Sequence, residues 1–275
     1  MPQSIKQISS PHNDTLKQLI RLIEQGRERR KQGLLVVEGI HLAQSAMEAG
    51  LGCTQLFVNR LAREKTEVVA LMAATSKTAS VYELDENLLA RVSALASAPE
   101  VLAVCLRPRP APAPATAARV LLEDIQDPGN MGTILRSAAA SGVTEVYLSA
   151  GCVDVYAPKV LRAGMGAHFH LALHEQADLP SVLADFAGVR LVTSLAGDRS
   201  LYQQDLTGPV AFVFGNEGAG VSAALHDAAD ARVRIPMPGH AESLNVAMAA
   251  TLCLFERVRQ LESAGSERQT AAGNR

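Results

Sequence analysis

The sequence predicts an α/β protein of two α/β domains, the second of them the larger. Three observations carry that expectation. Short apolar or β-branched runs alternate with stretches of helical periodicity along the chain. A single proline- and alanine-rich segment, RPRPAPAPATAAR, interrupts the alternation at 107–119. The 275 residues, 48% hydrophobic and 20% charged, suffice for a substantial core on either side of it.

In order, residues 11–32 read as one helix with an apolar stripe of Leu16, Leu19, Ile20 and Ile23. Its far end carries Arg27, Arg29, Arg30 and Lys31, either a solvated helix end favoured by the dipole or a phosphate-contacting patch. LLVVEG (34–39) reads as a buried strand followed by a helix through Ala49. Strands are expected at 55–59, 80–84 and 101–106, and helices at 64–75 and 87–95. This pattern predicts a domain over 1–106 with a largely parallel sheet. The segment 107–118 favours extended polyproline II and is expected to be a semi-rigid linker.

Beyond it, strands are expected at 120–125, 143–149, 169–173, 189–196, 209–215 and 231–237. Helices are expected at 131–140, 158–164, 178–187, 221–229 and 243–262, giving a second domain over 119–263. The small polar stretch 264–275 reads as a flexible tail.

The net charge of −2 argues against a protein that coats nucleic acid by bulk charge, though not against a local basic face. No run of about 18 apolar residues and no signal-peptide core at MPQSIKQISS is present, so a cytoplasmic chain is expected. Cys53, Cys105, Cys152 and Cys253 form no C-x-x-C pair and read as reduced, mostly buried thiols. His168, His170 and His174 lie close together, the first two on one face of the expected strand. They lack a completing ligand set, so no metal is expected.

Three stretches share a texture: each follows a strand and combines Gly or Pro with polar side chains. In Asp127-Pro128-Gly129-Asn130-Met131-Gly132, Asn130 is placed to cap the next helix, and Arg136 lies about two turns in. In Gly215-Asn216-Glu217-Gly218-Ala219-Gly220 the glycines permit close backbone approach, and a carboxylate between them can fix a polar or cationic partner. The third, IPMPGHAESLN (235–245), lacks two N–H donors at Pro236 and Pro238, and Ser243 reads as the N-cap of an apolar-faced helix. Each alone is an ordinary strand-to-helix turn. The glycine order G-x-x-G-x-G is not the dinucleotide fingerprint and no phosphate-loop lysine follows. Neither the fingerprint nor a ribose-binding acid follows the first strand of either domain, which disfavours a nucleotide-binding oxidoreductase.

Together, N-x-G-x-x-x-R within DPGNMGTILR, then FGNEGAG, then IPMPGHAESLN with VAMAATLCLFERVRQ, resemble the three motifs of the SpoU (TrmH) family of RNA ribose 2′-O-methyltransferases, in order and spacing. APKVLRAGMGAHF (157–169) is similar to the family's segment between its first two motifs. LLVVEGIHLAQSAMEAG resembles the substrate-binding domain, related to a ribosomal-protein RNA-binding fold, that many members carry. Where that domain usually has a P-Q-G-like segment, this chain reads SAPEVLAVC.

The resemblance implies a trefoil-knotted, Rossmann-like catalytic domain of the SPOUT type, acting as a homodimer through its last helix. It implies S-adenosylmethionine held by Gly215, Ile235, Met237 and Leu244, with Thr193, Ser194, Leu195 and Ala196 lining the cleft. It implies Arg136 acting on the ribose 2′-hydroxyl, with Asn130, Glu217, Ser243 and Asn245 positioning the participants. Arg27, Arg29, Arg30, Lys31 and Arg162 are the expected RNA contacts. Structured RNA, ribosomal rather than transfer RNA, is the implied substrate. A transfer-RNA enzyme, or a non-catalytic RNA-binding factor that keeps the fold, are the other readings.

Overall fold

The computed structural model describes residues 5–75, 77–93, 97–110 and 118–273, with side chains to 265. The centre of the expected linker, 111–117, and the end of the expected 87–95 helix lie outside the described residues. In chain order the first elements are β1 (Lys6–Ile8), α1 (Asp14–Glu24), α2 (Gly26–Gln32), β2 (Leu34–Glu38) and α3 (Ile40–Glu48). Next come β3 (Cys53–Asn59), α4 (Thr66–Thr75), β4 (Ser80–Leu84), α5 (Glu86–Val92) and β5 (Val101–Leu106). Then follow β6 (Arg119–Leu122), α6 (Pro128–Ala140), β7 (Glu145–Leu148), α7 (Pro158–Gly164), β8 (Ala172–His174) and α8 (Leu179–Ala184). The last are β9 (Val189–Thr193), β10 (Arg199–Ser200), β11 (Val210–Phe214), α9 (Ala223–Ala228), β12 (Ala231–Arg234) and α10 (Val246–Gly273).

The chain forms two compact units. One comprises Met1–Pro108 with Asp154–Phe169, the other Arg109–Val153 with His170–Arg275. Residues 154–169, α7 among them, therefore pack in the first unit although they lie within the stretch 119–263.

The first unit has a five-stranded sheet in the order β1-β4-β3-β5-β2. β1/β4 and β4/β3 are parallel, whereas β3/β5 and β5/β2 are antiparallel, so the sheet is mixed rather than largely parallel. Alternation of strand and helix specifies the layers. It does not specify direction, which depends on whether each connection crosses the full length of the sheet. The expected 11–32 helix is two helices, broken at Gln25, whose φ of −118° and ψ of 107° are extended. α1 starts where Asn13 Oδ1 accepts from Thr15 N (2.9 Å), and it buries Leu16, Leu19, Leu22 and Ile23 against Val36, Phe57 and Leu102.

The break frees carbonyls at the end of α1, and Arg29 takes them up. Its Nη1 donates to Leu22 O (2.6 Å) and Ile23 O (2.8 Å), and Nη2 pairs with Asp154 Oδ2 (2.6 Å). With 3% exposure Arg29 is a buried structural cation, which corrects its expected role as an RNA contact. Arg27, Arg30 and Lys31 are exposed. In α7, Arg162 Nη1 lies 3.7 Å from Glu38 Oε2.

The expected strand at 169–173 is a 3-10 turn over Ala167–His170 followed by β8, so His168 and His170 do not share a strand face. His168 is fully buried, with Nε2 at 2.9 Å from Val155 O. Burial lowers its pKa to about 4. Among the described residues no group of three or more His, Cys, Asp or Glu could hold a metal ion. Burial pushes the Cys253 thiol up to about 12, which makes it an inert packing group. No helix among the described residues is long and apolar enough to cross a membrane.

The second unit has a seven-stranded sheet in the order β10-β12-β9-β11-β6-β7-β8, with every neighbouring pair parallel. All five residues of β11 are buried, as expected for a central parallel strand covered on both faces. β6 and β11 are neighbours, but the chain leaves them in opposite directions. β6 leads through α6 to β7 on one side, and β11 leads through α9 to β12 beyond β9 on the other. Opposite departures open a crevice at the carboxyl ends of these two strands. After β12 the chain returns across the carboxyl ends of β9 and β11 to α6, three strand spacings or about 14 Å away. α10 then packs on α6, with Ser137 Oγ and Thr251 Oγ1 2.7 Å apart, and runs to Gly273 through the stretch expected as a flexible tail.

The state of His168 makes stability depend on pH. Its folded pKa lies below the ordinary value of 6.5, so between about 6.5 and 4 the unfolded chain binds the extra proton. The contribution is intact above the unfolded value and is lost as pH falls through this window. Urea denaturation at pH 7 and pH 5 should show a drop that His168→Gln reduces. An identical drop in the variant would assign it to other groups.

Candidate functional site

The site occupies the crevice between β6 and β11. The first loop, 123–127, leaves β6 and ends at Asp127, whose Oδ1 accepts from Asn130 N (2.7 Å). Asp127 is therefore the N-cap of α6, with Pro128 in the first turn, and Asn130 lies inside the helix. This corrects the assignment of Asn130 as the cap and frees its side chain for the crevice. The signal was present in Asp-Pro, because proline favours the first helical position and makes its predecessor the cap.

The second loop leaves β11 as a glycine turn. Gly215 is buried, and a Cβ there would overlap the carbonyl of Gly220, which itself has φ of +70°. Asn216 Oδ1 accepts from Gly218 N (2.9 Å) and Ala219 N (3.0 Å), closing the turn on itself. Glu217 projects from this turn to meet Asn130.

Three residues, Asn130 in the first turn of α6, Glu217 on the glycine turn and Asn245 at the start of α10, form one chain of hydrogen bonds. Asn130 Nδ2 donates to Glu217 Oε1 (2.7 Å), and Asn245 Nδ2 donates to Asn130 Oδ1 (2.9 Å). Asn245 Oδ1 in turn accepts from Ala247 N (2.9 Å) and Met248 N (3.4 Å) at the start of α10. The carboxylate only accepts, so the Asn130 amide can point one way only, and Asn245 must donate to it. Asn245, not Ser243, is thus the residue that caps α10, which corrects the sequence expectation. A cap is decided by which oxygen reaches the first free N–H groups, and Ser243 lies too far upstream. Ser243 is exposed and outside this chain.

Arg136 lies in the second turn after Asn130, exposed and with no ion-pair or hydrogen-bond partner among the described residues. At the end of β9, Thr193 Oγ1 donates to Val213 O (3.1 Å), and Ser194 N donates to Val233 O (2.9 Å). Ala196 N donates to Ser194 Oγ (3.3 Å), and Leu195 is 64% exposed. In the third loop Ile235 and Met237 are half-buried and Leu244 is 38% exposed. Among the described residues, no main-chain group of 236–244 makes a hydrogen bond within the protein. The crevice thus offers a fixed polar chain at one end, unpaired main-chain groups along one side and exposed apolar side chains.

Residues 117–255 match the SpoU rRNA Methylase family, and residues 13–103 match the MRM3-like substrate binding domain. An uncharacterized tRNA/rRNA methyltransferase of Synechocystis is 35% identical, over 94% of this chain and 96% of its own length. The 23S rRNA (guanosine(2553)-2′-O)-methyltransferase RlmP of Bacillus subtilis is 33% identical, over 91% of this chain and 98% of its own. The crystal structure of the SpoU methyltransferase AviRb of Streptomyces viridochromogenes in complex with the cofactor AdoMet superposes with a TM-score of 0.82. It is 30% identical and covers 90% of this chain and 98% of its own.

The turn geometry separates two glycines experimentally. Gly215→Ala forces the turn apart and should cost about 1–3 kcal/mol in urea denaturation. Gly218→Ala meets only Asn216 Oδ1, at 3.5 Å, and should lie within about 0.5 kcal/mol of wild type. Equal effects would mean the turn is not closed in solution.

Proposed function

The chain belongs to the SpoU rRNA methylase family, and from that premise we propose that it is an S-adenosylmethionine-dependent enzyme that methylates a ribose 2′-hydroxyl of ribosomal RNA. The convergence of Asn130, Glu217 and Asn245 at the β6/β11 crevice is the observation that carries this reading. A non-catalytic RNA-binding factor would have no need of a polar chain whose direction is fixed along its length.

The residues present suit the cofactor. Gly215 lets the glycine turn close tightly at the strand end, the main-chain groups of 236–244 are free to read an adenine edge, and Leu195, Met237 and Leu244 can cover its faces. When bound, S-adenosylmethionine supplies an electrophilic methyl group on a sulfonium. Thr193, Ser194, Ala196 and Ile235 line the same side in this reading. A trefoil-knotted path of the chain after β11 belongs to the proposal too, favoured by the insertion of β12 between β9 and β10 and the return of α10 to α6.

Arg136 acts on the nucleophile. A guanidinium is a permanent cation and a poor base, so its role is to stabilise alkoxide charge as the 2′-oxygen is methylated. The proton can pass to a neighbouring RNA phosphate. Asn130, Glu217 and Asn245 position the substrate beside Arg136, and Ser243, exposed on the third loop, is the further positioning residue of this reading. Arg27, Arg30, Lys31 and Arg162 are the proposed phosphate contacts on the first unit.

The proposed assembly is a cytoplasmic homodimer. Met248, Leu252 and Phe255 form an i, i+4, i+7 stripe on α10 with exposures of 49%, 40% and 44%, and Leu244 lies just upstream.

Incubation with labelled S-adenosylmethionine and ribosomal RNA from a strain lacking the protein should yield one methylated ribose, identified by mapping. Absence of transfer to ribosomal RNA, with transfer to transfer RNA, would reassign the substrate. Arg136→Ala should lower kcat by about 10²–10³-fold while retaining RNA binding. Undiminished turnover would remove Arg136 from the mechanism. Light scattering should report a dimer at micromolar concentration, and Leu252→Glu should shift it to monomer. A monomeric wild type would remove the α10 interface.

A further inference from the structure

We propose that Asn216 is a positioning residue for methyl transfer, aiming Glu217 by fastening the glycine turn to the main chain just beyond β6. This rests on the reading of Glu217, Asn130 and Asn245 as the polar array of the site. Asn216 uses both ends of its amide. Oδ1 closes the turn on Gly218 and Ala219, and Nδ2 donates to the main-chain carbonyl of Asp124 (2.9 Å). Its own carbonyl accepts from Gly220 N (2.9 Å).

The receiving carbonyl is itself held. Asp124 has φ of +54°, a left-handed conformation that aspartate tolerates better than most side chains. Its N–H donates to Ser149 Oγ (2.9 Å), and the Ser149 hydroxyl donates back to Asp124 Oδ1 (2.6 Å). Gly151 lies against that carboxylate, and any Cβ there would overlap it. The other end of the turn is tied as well, because Ser222 N donates to Glu123 Oε2 (2.7 Å). Two consecutive acids after β6 thus secure both ends of the turn, and Glu217 lies between the two ties. A carboxylate on an untethered glycine turn would sample many directions. Here Asn216, one residue upstream, fixes the peptide from which it projects.

Asn216→Asp keeps an acceptor for Gly218 and Ala219 but sets an oxygen against the Asp124 carbonyl. Asn216→Ser can still close a turn through its hydroxyl and is too short to reach that carbonyl. Each should lower kcat about ten- to hundredfold, as a small misplacement does. The S-adenosylmethionine dissociation constant, measured calorimetrically, should stay within about threefold of wild type, because apart from Gly215, which both variants keep, the proposed donor-binding residues lie at 193–196 and 235–244. Combining Asn216→Asp with Asn130→Ala should cost less than the product of the single losses, because both act through Glu217. Should the Asp variant fail to fold, the Ser variant decides. Turnover within about twofold of wild type, a fall in donor affinity that accounts for the whole loss, or multiplicative losses in the double variant would each overturn the assignment. Failure of the underlying site reading looks different: Asn130→Ala alone would then leave turnover intact.

Discussion

The direction of one amide governs the second unit. Glu217 can only accept, so Asn130 must turn its nitrogen toward it and its oxygen toward Asn245. Asn245 must then donate, which leaves its own oxygen for the N–H groups opening α10. Polarity therefore runs without a break from a carboxylate on one loop to a helix N-terminus on another. The two bonds between side chains are exposed and each is worth about 1 kcal/mol net, too little to hold a fold together. Stability comes instead from buried strands such as β11 and the packing of α10 on α6. The hydrogen bonds decide a geometry that the apolar core makes affordable.

That geometry needs the strand order that the second unit has. Were β6 and β11 not neighbours, Asn216 could not reach the carbonyl of Asp124, and the glycine turn would lie away from α6. Were their onward connections to leave on the same side, a helix would cover the crevice. The return of the chain from β12 follows from the same arrangement. The segment must span about 14 Å over the ends of β9 and β11, and eleven residues in the irregular 235–245 stretch allow that with slack. The exposed, unpaired backbone of 236–244 is the physical consequence of a crossing that pairs with no strand.

Much of this was legible in the residues. Most strand and helix positions followed from periodicity, β1, β10 and the 169–173 segment excepted, and the three stretches that carry Asn130, Glu217 and Asn245 stood out by Gly, Pro and polar content. What escaped depended on distant partners. Arg29 sits in a basic run that looks uniform, yet Arg29 is the one drawn inward, to the carbonyls freed by the break at Gln25 and, more closely than Arg30, to the carboxylate of Asp154. The break is marked locally only by Gly26, which follows Gln25 and opens α2, a signal that the helical periodicity on either side obscured. The antiparallel setting of β5 was hidden because alternation is blind to direction. The caps at Asp127 and Asn245 differ from those expected by three residues and two, since several polar side chains near each helix start were eligible and geometry selected one.

The exposure of Arg136 has a further physical meaning for the proposed reaction. At a separation of 4 Å, a guanidinium and an oxyanion attract by about 1 kcal/mol in bulk water and about 4 kcal/mol near a water-excluding protein surface. Arg136 faces solvent on α6, so uncovered it lies between these two values. Its value to a developing alkoxide rises only when something covers it, and the substrate RNA is the body that must approach it. The same covering brings phosphates close to the 2′-hydroxyl and shields Glu217, Asn130 and Asn245 from competing water. In the proposed reaction, chemistry is therefore coupled to docking through the dielectric: a small ribose mimic would meet the same side chains in a wetter medium than a large RNA surface provides.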